Sequence, residues 1–483
     1  MADRCVCILG GGLAGCEAAW QAAQAGLRVR LVEMRPGVGT PAHQTDRLAE
    51  LVCSNSLKSE SLEDASGLLK AEMRALGSLI LRCGEASRVP AGSALAVDRE
   101  AFAAAVTAAI QADPRIGLVR AEAGALPPDR PLIVATGPLT SDRLAADLAQ
   151  RFALVEPRAA SREPRPPTSD LGPRTWNLLH FYDAISPIVA ADSIDMDRTF
   201  AAARYGKGGA DYLNCPLTRE EYRAFREALL AGEQYPLHDF ERPNYFEGCL
   251  PIEELAARGE DTLRFGPMRP VGLRHPRTGQ RPYAVVQLRQ ENRGPEGRPT
   301  MYNLVGFQTR LRRGPQAKAL HLIPGLERAE ILRYGSVHRN TFMAAPALLR
   351  PSLQFQGDPG VFFAGQLTGV EGYLESAATG LLAGINASRL LRGEAPVVPP
   401  RTTMLGALLS YLTTADPRGF QPINANFGLL PPLRQLVRDR QERNRLLVER
   451  ALADFQAWRE AALGQADVAA VAPSRGSTSG GIR

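Results

Sequence analysis

A glycine-rich turn between an apolar strand and a helix constrains the fold more than any other feature of the sequence. Residues 5–33 contain an apolar segment, the turn, a helical pattern and a second apolar segment that closes on Glu33. This order, with GxGxxG in the turn, is the βαβ unit that binds a dinucleotide. The six turn residues are Gly10, Gly11, Gly12, Leu13, Ala14 and Gly15.

Each conserved position of such a turn has its own physical reason. Gly10 permits the tight turn, Gly12 lets the backbone approach a pyrophosphate, and Gly15 lets helix and strand pack closely. The helix N-terminus attracts the phosphate charge. Glu33 is predicted to accept hydrogen bonds from ribose hydroxyls. The sequence therefore predicts a dinucleotide site, but the turn alone does not distinguish FAD from NAD.

Two later segments favour FAD. Thr136 and Gly137 follow an apolar strand in the form that flavoproteins of the two-dinucleotide type place against FAD, and Gly365 and Gly372 mark a second such contact. A helix that begins after Gly372 would direct the positive end of its dipole at the flavin ring. Since no second GxGxxG unit is present, NAD(P)H would have to dock transiently over the flavin.

The pattern along the 483 residues predicts a discontinuous domain. The predicted fold class is α/β, with a Rossmann-like FAD-binding domain that is interrupted by an inserted α+β domain. A Pro- and Arg-rich stretch at 156–174 indicates a linker. We place the FAD-binding domain and its C-terminal helices at 1–175 and 340–463, the inserted domain at 176–339, and a disordered tail at 464–483.

Composition excludes several classes of protein. No apolar stretch approaches the roughly 20 residues of a membrane helix, and the N-terminus lacks a secretory signal, so we predict a cytoplasmic enzyme. Seven cysteines without a CxxC pair predict reduced thiols and no metal site. The 57 Lys and Arg against 51 Asp and Glu give a net charge of +6. Most of the basic residues are arginine. This composition fits either an RNA partner or an arginine-rich genome.

Two cysteines are candidates for catalysis. Cys53 lies in a polar turn that we predict to precede a helix, where backbone amides could favour a thiolate. Cys215 lies between a predicted strand and a helix. A buried structural thiol is the competing interpretation for both. Five arginines within a short stretch predict a surface that binds a polyanion, and a solvated basic face is the alternative. They are Arg264, Arg269, Arg274, Arg281 and Arg289.

Runs spread from Gly10 to about Leu430 resemble the folate- and FAD-dependent tRNA uracil-5-methyltransferase family. The resemblance covers nearly the whole chain, and the departures at 159–173, 296–299 and the tail touch none of these runs. The runs are GGGLAGCEAAWQAA, VEMRP, TPAHQTD, ELVCSNSLKS, PAGSALAVDR, ATGPLTS, YLNCPLT, FEGCLPIE, RPYAVVQLRQ, VGFQT, HRNTF, FFAGQLTGVEGY and NANFGLL.

The resemblance implies a specific reaction. In this family 5,10-methylenetetrahydrofolate gives its one-carbon unit through N5 of reduced FAD to C5 of the T-loop uridine of tRNA (position 54), and NAD(P)H supplies the electrons. By matching motif, Cys215 is the thiol that attacks C6 of uracil, and Cys53 is the thiol near the flavin that holds or protects the reactive species. The base that removes the C5 proton is not identified.

Three other functions remain as alternatives. The related flavoprotein that installs carboxymethylaminomethyl groups on the wobble uridine shares the turn and the chemistry, but carries a long additional C-terminal helical domain that we do not expect here. A non-catalytic FAD-containing tRNA-binding protein would bind tRNA without forming methylated uridine. An NAD(P)H oxidase would have no use for two turn cysteines and an arginine-rich insert.

Overall fold

The structure is a computed structural model that describes residues 5–40, 42–155, 179–204, 209–235, 250–293, 298–417 and 420–469. The linker predicted at 156–174 lies outside these residues. Within them, no helix is both long enough and apolar enough to cross a bilayer.

A five-stranded parallel sheet forms the first layer of the fold. Its strands follow the order β16-β7-β1-β2-β6, and all the pairings are parallel. Short apolar runs such as Val6 to Leu9 are buried on both faces, as expected for a parallel sheet covered by helices. The strands are β1 (Cys5–Leu9), β2 (Arg28–Glu33), β6 (Ile116–Arg120), β7 (Leu132–Val134) and β16 (Val361–Phe363).

Because β16 pairs with β7, the chain returns to its first sheet after more than two hundred residues elsewhere. The predicted fold class, a discontinuous Rossmann-like domain, is confirmed by this pairing. The helices of this part are α1 (Leu13–Gln24), α2 (Ala65–Ala75), α3 (Leu79–Ala86), α4 (Arg99–Ala112), α5 (Asp142–Ala153), α10 (Ala345–Leu348), α11 (Tyr373–Arg392), α12 (Met404–Thr414) and α13 (Arg440–Ala469).

Helix α11 packs so closely against α1 that no side chain fits between their backbones at two positions. A Cβ atom at Gly380 would lie 2.2 Å from the carbonyl oxygen of Ala14, and one at Gly384 would lie 2.6 Å from that of Ala18. Only glycine permits such an approach. The contact holds the N-terminus of α11 beside the turn after β1.

The second part of the fold is a six-stranded sheet with its own hydrophobic core. Its order is β10-β11-β12-β13-β9-β14, and its pairings are antiparallel. The strands are β9 (Ile188–Ala190), β10 (Phe200–Ala201), β11 (Tyr212–Leu217), β12 (Ala284–Gln290), β13 (Met301–Leu304) and β14 (Ile331–Arg333). The helices are α6 (Arg219–Ala231), α7 (Ile252–Ala257), α8 (Thr262–Phe265) and α9 (Arg313–Leu320).

Two smaller sheets complete the described residues. A two-stranded ribbon of β8 (Leu179–Ile185) and β15 (Ser336–Phe342) flanks the six-stranded part in the sequence, and its strands pair along their full length. A three-stranded sheet contains β3 (Ser56–Ser59), β4 (Arg88–Val89) and β5 (Ala94–Val97). Short 3₁₀ helices lie at Ala191–Ser193, Met196–Arg198, Gln366–Thr368 and Phe427–Leu429.

One predicted boundary differs from the structure. Helix α13 continues to Ala469, whereas the sequence predicted disorder from 464. Gly464 disfavours a helix, but Gln465 and Ala466 have high helix propensity, so the helix continues across this one glycine. Residues 470–483 lie outside the described residues.

The packing of α11 on α1 predicts a large effect for a small change. Gly380→Ala adds one methyl group where a backbone oxygen already lies within 2.2 Å, so we expect the free energy of unfolding to fall by about 1–3 kcal/mol. Gly314→Ala, also in a helix but with open space around its Cβ, should leave stability unchanged or slightly raised. Urea unfolding of both variants measures the difference, and equal stability would exclude the close contact.

Candidate functional site

The turn after β1 has the conformation that its sequence predicts. Gly10 has a φ of +98°, and a Cβ atom at Gly15 would lie 1.8 Å from the carbonyl oxygen of Gly10. In contrast, a Cβ atom at Gly12 would meet no atom of the protein within 4 Å. The turn is therefore tight on its inner side and open in front of Gly12, at the first residue before α1.

Gly11 holds the acidic residue of the next strand in place. Its N–H donates to Oε2 of Glu33 at 2.7 Å, and a Cβ atom at Gly11 would lie 2.5 Å from Leu48 and 2.9 Å from Glu33. The N–H of Gly11 thus fixes the carboxylate of Glu33, and Gly11 does not line the cleft described below.

Glu33 is buried and ionised. Burial alone would raise its pKa, but Arg35 donates to Oε1 through its backbone N–H at 3.0 Å and its Nε at 2.9 Å, and the pKa stays below the usual range. The carboxylate is therefore a charged acceptor at the end of β2. This is the group that the sequence predicted for the ribose hydroxyls.

A cleft runs past this turn, and the empty space in it together with its open mouth is about 1030 Å³; we call it the dinucleotide cleft. It is lined by residues after β1, at the end of β2, after β7, and between β16 and the first turns of α11. The predicted binding residues that line it are Gly10, Gly12, Leu13, Ala14, Glu33, Thr136, Gly137 and Gly365. The empty space before Gly12, the α1 N-terminus and the ionised Glu33 together fit FAD.

A second cavity adjoins the dinucleotide cleft at the N-terminus of α11. The empty space in it together with its opening to solvent is about 1050 Å³, and its walls include Cys53, Lys58 and Gly372; we call it the Cys53 cavity. The two share Val52 and Tyr373, among others. Gly372, predicted as a cofactor contact, lines this second cavity and precedes the helix with a φ of +115°.

The segment that carries Cys53 is fixed by two side chains that the sequence did not identify. The phenol oxygen of Tyr373 accepts from the backbone N–H of Cys53 at 2.6 Å and of Ser54 at 3.2 Å. Arg99 donates to the carbonyl oxygens of Leu51 at 2.8 Å and Cys53 at 3.4 Å. A strand, β3, follows at Ser56, so the expectation that a helix follows Cys53 is wrong.

These contacts also bear on the predicted chemistry of Cys53. Its amide and the next one are both directed at Tyr373, so they are not the groups that would favour a thiolate. Cationic side chains near the segment include Arg99, which donates to the carbonyl oxygen of Cys53, and Lys58, which lines the same cavity as Cys53 and pairs with Glu375 at 2.6 Å. No signal in a single sequence links Tyr373 to Cys53 across 320 residues.

Cys215 does not lie in a turn, as the sequence had suggested, but within β11. Its side chain is fully buried in the hydrophobic core of the six-stranded sheet, opposite Val286 on β12. Burial raises the pKa of its thiol far above the usual value. In this structure the thiol contacts none of the cavities described here, and its predicted role stays a prediction.

Four of the five arginines proposed as a polyanion surface lie at the surface or partly exposed. Arg264 stacks over the ring of Tyr283 at 3.8 Å, while Arg274 and Arg281 are exposed. Arg289 is only 8% exposed and lies on the sheet face opposite the core. The structure therefore separates Arg289 from the rest of this group.

Comparison with known proteins identifies the family context. The family described as glucose inhibited division protein A matches residues 5–395. A protein of Geobacter sulfurreducens named methylenetetrahydrofolate–tRNA-(uracil-5-)-methyltransferase TrmFO is 57% identical over 454 residues, 94% of this chain and 98% of the relative. A protein of the same name from Moorella thermoacetica is 56% identical over 452 residues, 94% of this chain and 97% of the relative.

Among solved structures, GidA of Aquifex aeolicus has the same fold. Its form I crystal structure superposes with a TM-score of 0.65 at 17% identity, covering 96% of this chain and 77% of the other. The likeness supports a parallel sheet that is interrupted by an antiparallel sheet, as predicted.

The open space in front of Gly12 predicts how one substitution acts. In Gly12→Val the new side chain enters the cleft without touching the protein, so we expect normal thermal unfolding but little or no bound flavin. Visible flavin absorbance per protein measures occupancy. Gly314→Val is the matched control, since its Cβ also meets open space but lies far from the cleft. Normal flavin content in Gly12→Val would refute the assignment of the cleft.

Proposed function

This chain belongs to the TrmFO family and is a folate-dependent tRNA uracil-5-methyltransferase; we propose that it acts on the T-loop uridine at position 54. FAD and methylenetetrahydrofolate are its cofactor and one-carbon donor. When bound, the flavin would take electrons from NAD(P)H and relay the one-carbon unit through its N5. The remaining steps depend on this chain's own residues.

The observation that carries the proposal is the continuity between the dinucleotide cleft and the Cys53 cavity. Val52 and Tyr373 line both, so a flavin ring at the α11 end of the cleft would face a space large enough for a second planar molecule. The N-terminus of α11 would favour negative charge on the ring. Cys53 lines this second space, which supports its proposed place beside the flavin.

The two cysteines are proposed for different roles. C5 of uracil becomes nucleophilic only when a thiolate adds at C6 and forms an enolate. The motif match proposes Cys215 for this addition and Cys53 for the protection of the one-carbon unit near the flavin. Because the Cys215 side chain is fully buried, its attack requires that β11 become accessible when tRNA binds.

The alternative of the wobble-uridine flavoprotein is less well supported. The relatives that share 57% and 56% identity over nearly their whole length are named as uracil-5-methyltransferases, whereas the GidA structures, at 16–17% identity, bear on the fold alone. The similarity to GidA therefore supports the fold, and the relatives named TrmFO support the reaction. A non-catalytic tRNA-binding protein is excluded if the purified chain forms methylated uridine.

The source of the methyl carbon tests the proposed function directly. Purified protein with unmodified tRNA, NAD(P)H and labelled methylenetetrahydrofolate should give labelled 5-methyluridine at position 54, measured by nucleoside analysis and by mapping of the T arm. S-adenosylmethionine without folate is the control and should transfer no label. Transfer from S-adenosylmethionine, or label at another position, would overturn the proposal.

A mechanism-based trap separates the roles of the two cysteines. Since fluorine at C5 cannot leave as a proton, tRNA that contains 5-fluorouridine should capture the nucleophile covalently. We expect wild type to be trapped and Cys215→Ala not to be, although this variant should keep its flavin and its reduction by NAD(P)H. Mass spectrometry of the adduct decides the assignment, and an adduct on Cys53 would reverse it.

A further inference from the structure

The six-stranded sheet has an unusual polar face. On the side away from its hydrophobic core, Asn214 pairs with Gln287 and Arg289 pairs with Asn303, and all four side chains are buried. The face continues to Glu291, just beyond β12. It packs toward the dinucleotide-binding part, where Nδ2 of Asn55 donates to the carbonyl oxygen of Gln290 at 2.9 Å.

A third cavity lies at one edge of this face. The empty space in it together with its opening to solvent is about 830 Å³, and its walls include Leu51, Arg99, Glu291 and Arg333; we call it the arginine cavity. Exposed residues such as Leu332, 46% exposed, form its outer rim. A flexible or polymeric ligand can therefore enter it from solvent.

Three of the four carboxylates that line this cavity already have partners, and the fourth, Glu100, is exposed. Oε2 of Glu50 accepts from Arg35 and from Thr45. Asp98 accepts from the first backbone amides of α4 and, at 2.7 Å, from the amide of Arg293.

Glu291 lies 2.5 Å from the guanidinium of Arg99 and also accepts from Asn303. None of the partnered carboxylates is therefore available to a further cation.

Two guanidinium groups lack such partners. Within the described residues, neither Arg289 nor Arg333 donates a side-chain hydrogen bond or forms an ion pair, and Nε of Arg289 is a buried atom without a partner, as are Nε of Arg99 and Oδ1 of Asn303. Burial lowers the pKa of both Arg289 and Arg333. Arg289 is buried and does not line the arginine cavity, whereas Arg333 lines it and is partly exposed. The guanidinium of Arg333 is therefore available to an anionic ligand that enters from solvent.

The position of these groups relates them to Cys53. Arg99, Arg289 and Arg333 all interact electrostatically with Glu291 and with Cys53. Residues 50–53 border all three cavities. Glu50 and Leu51 line the arginine cavity, Glu50 and Val52 line the dinucleotide cleft, and Val52 and Cys53 line the Cys53 cavity. An anion in the arginine cavity would thus lie just across this segment from Cys53.

We propose that the arginine cavity binds a backbone phosphate of the tRNA next to the target uridine, through Arg333. Guanidinium forks match phosphate oxygens in geometry and charge. The cavity's open rim suits a polymer, and its place beside the Cys53 cavity suits a phosphate that flanks the modified base. This inference rests on the proposed function and adds to it a specific contact that positions the RNA.

The affinity of the flavin-loaded Arg333→Gln variant for tRNA tests the contact without a measurement of turnover. We expect its affinity for an unmodified tRNA transcript to fall about tenfold. The slope of log K against log salt should become shallower by about one. The KM values for NAD(P)H and methylenetetrahydrofolate should not change. Arg350→Gln, which removes an exposed arginine elsewhere in the chain, is the control and should bind tRNA as wild type does.

One further variant keeps the test decisive. Arg333→Lys should restore the salt slope but only part of the affinity, because ammonium lacks the planar fork. If Arg333→Lys keeps the salt slope of Arg333→Gln, the contact between this side chain and a phosphate is overturned.

Other outcomes would overturn the proposal while leaving the proposed function intact. If Arg333→Gln binds tRNA as wild type does but raises the KM for folate or NAD(P)H, the anion belongs to that co-substrate. If only the alkylation rate of Cys53 changes, the arginine affects the reactivity of the Cys53 thiol and does not bind RNA. The proposed function fails separately, if wild type forms no 5-methyluridine.

Discussion

The close approach of α11 to α1 is the contact on which the rest of the structure depends. Gly380 and Gly384 place the backbone of a C-terminal helix against Ala14 and Ala18, in the first helix of the chain. A larger residue at either glycine would push the helices apart. Through this contact the first turn of α11 comes to the end of a cleft that begins at the Gly10 turn. Segments more than three hundred residues apart thereby form one site.

The second determinant is the short segment 50–53, which borders three cavities. It is fixed from one side by the phenol of Tyr373 and from the other by the guanidinium of Arg99. Both anchors are buried or nearly so, and each uses backbone groups of the segment. The same segment can therefore contact a flavin ring, present Cys53 to a substrate, and border a site for an anion without large movement.

Features that depend on local sequence patterns were predicted correctly. Features that depend on how strands pair with each other were missed. The βαβ unit at 5–33 and the return of the chain to its first sheet follow from apolar runs and glycine positions. Cys215 was placed in a turn between a predicted strand and a helix. In the structure Pro216 is tolerated because β10 pairs only with Leu213 and Asn214, so its missing N–H needs no partner there. The alternation of apolar residues in β11 was the available signal for burial. No local signal pairs Tyr373 with Cys53, or Arg289 with the opposite domain.

The central claim, that the ring end of the flavin lies against the 50–53 segment and not near β11, is tested most directly by flavin spectroscopy. The visible absorption and fluorescence of bound flavin should be measured in Cys53→Ala and Cys215→Ala at equal occupancy. The account predicts a changed spectrum for Cys53→Ala, because the thiol lines the cavity that adjoins the cleft, and an unchanged one for Cys215→Ala, whose side chain is buried in another core. A spectrum that responds to Cys215→Ala and not to Cys53→Ala would contradict it.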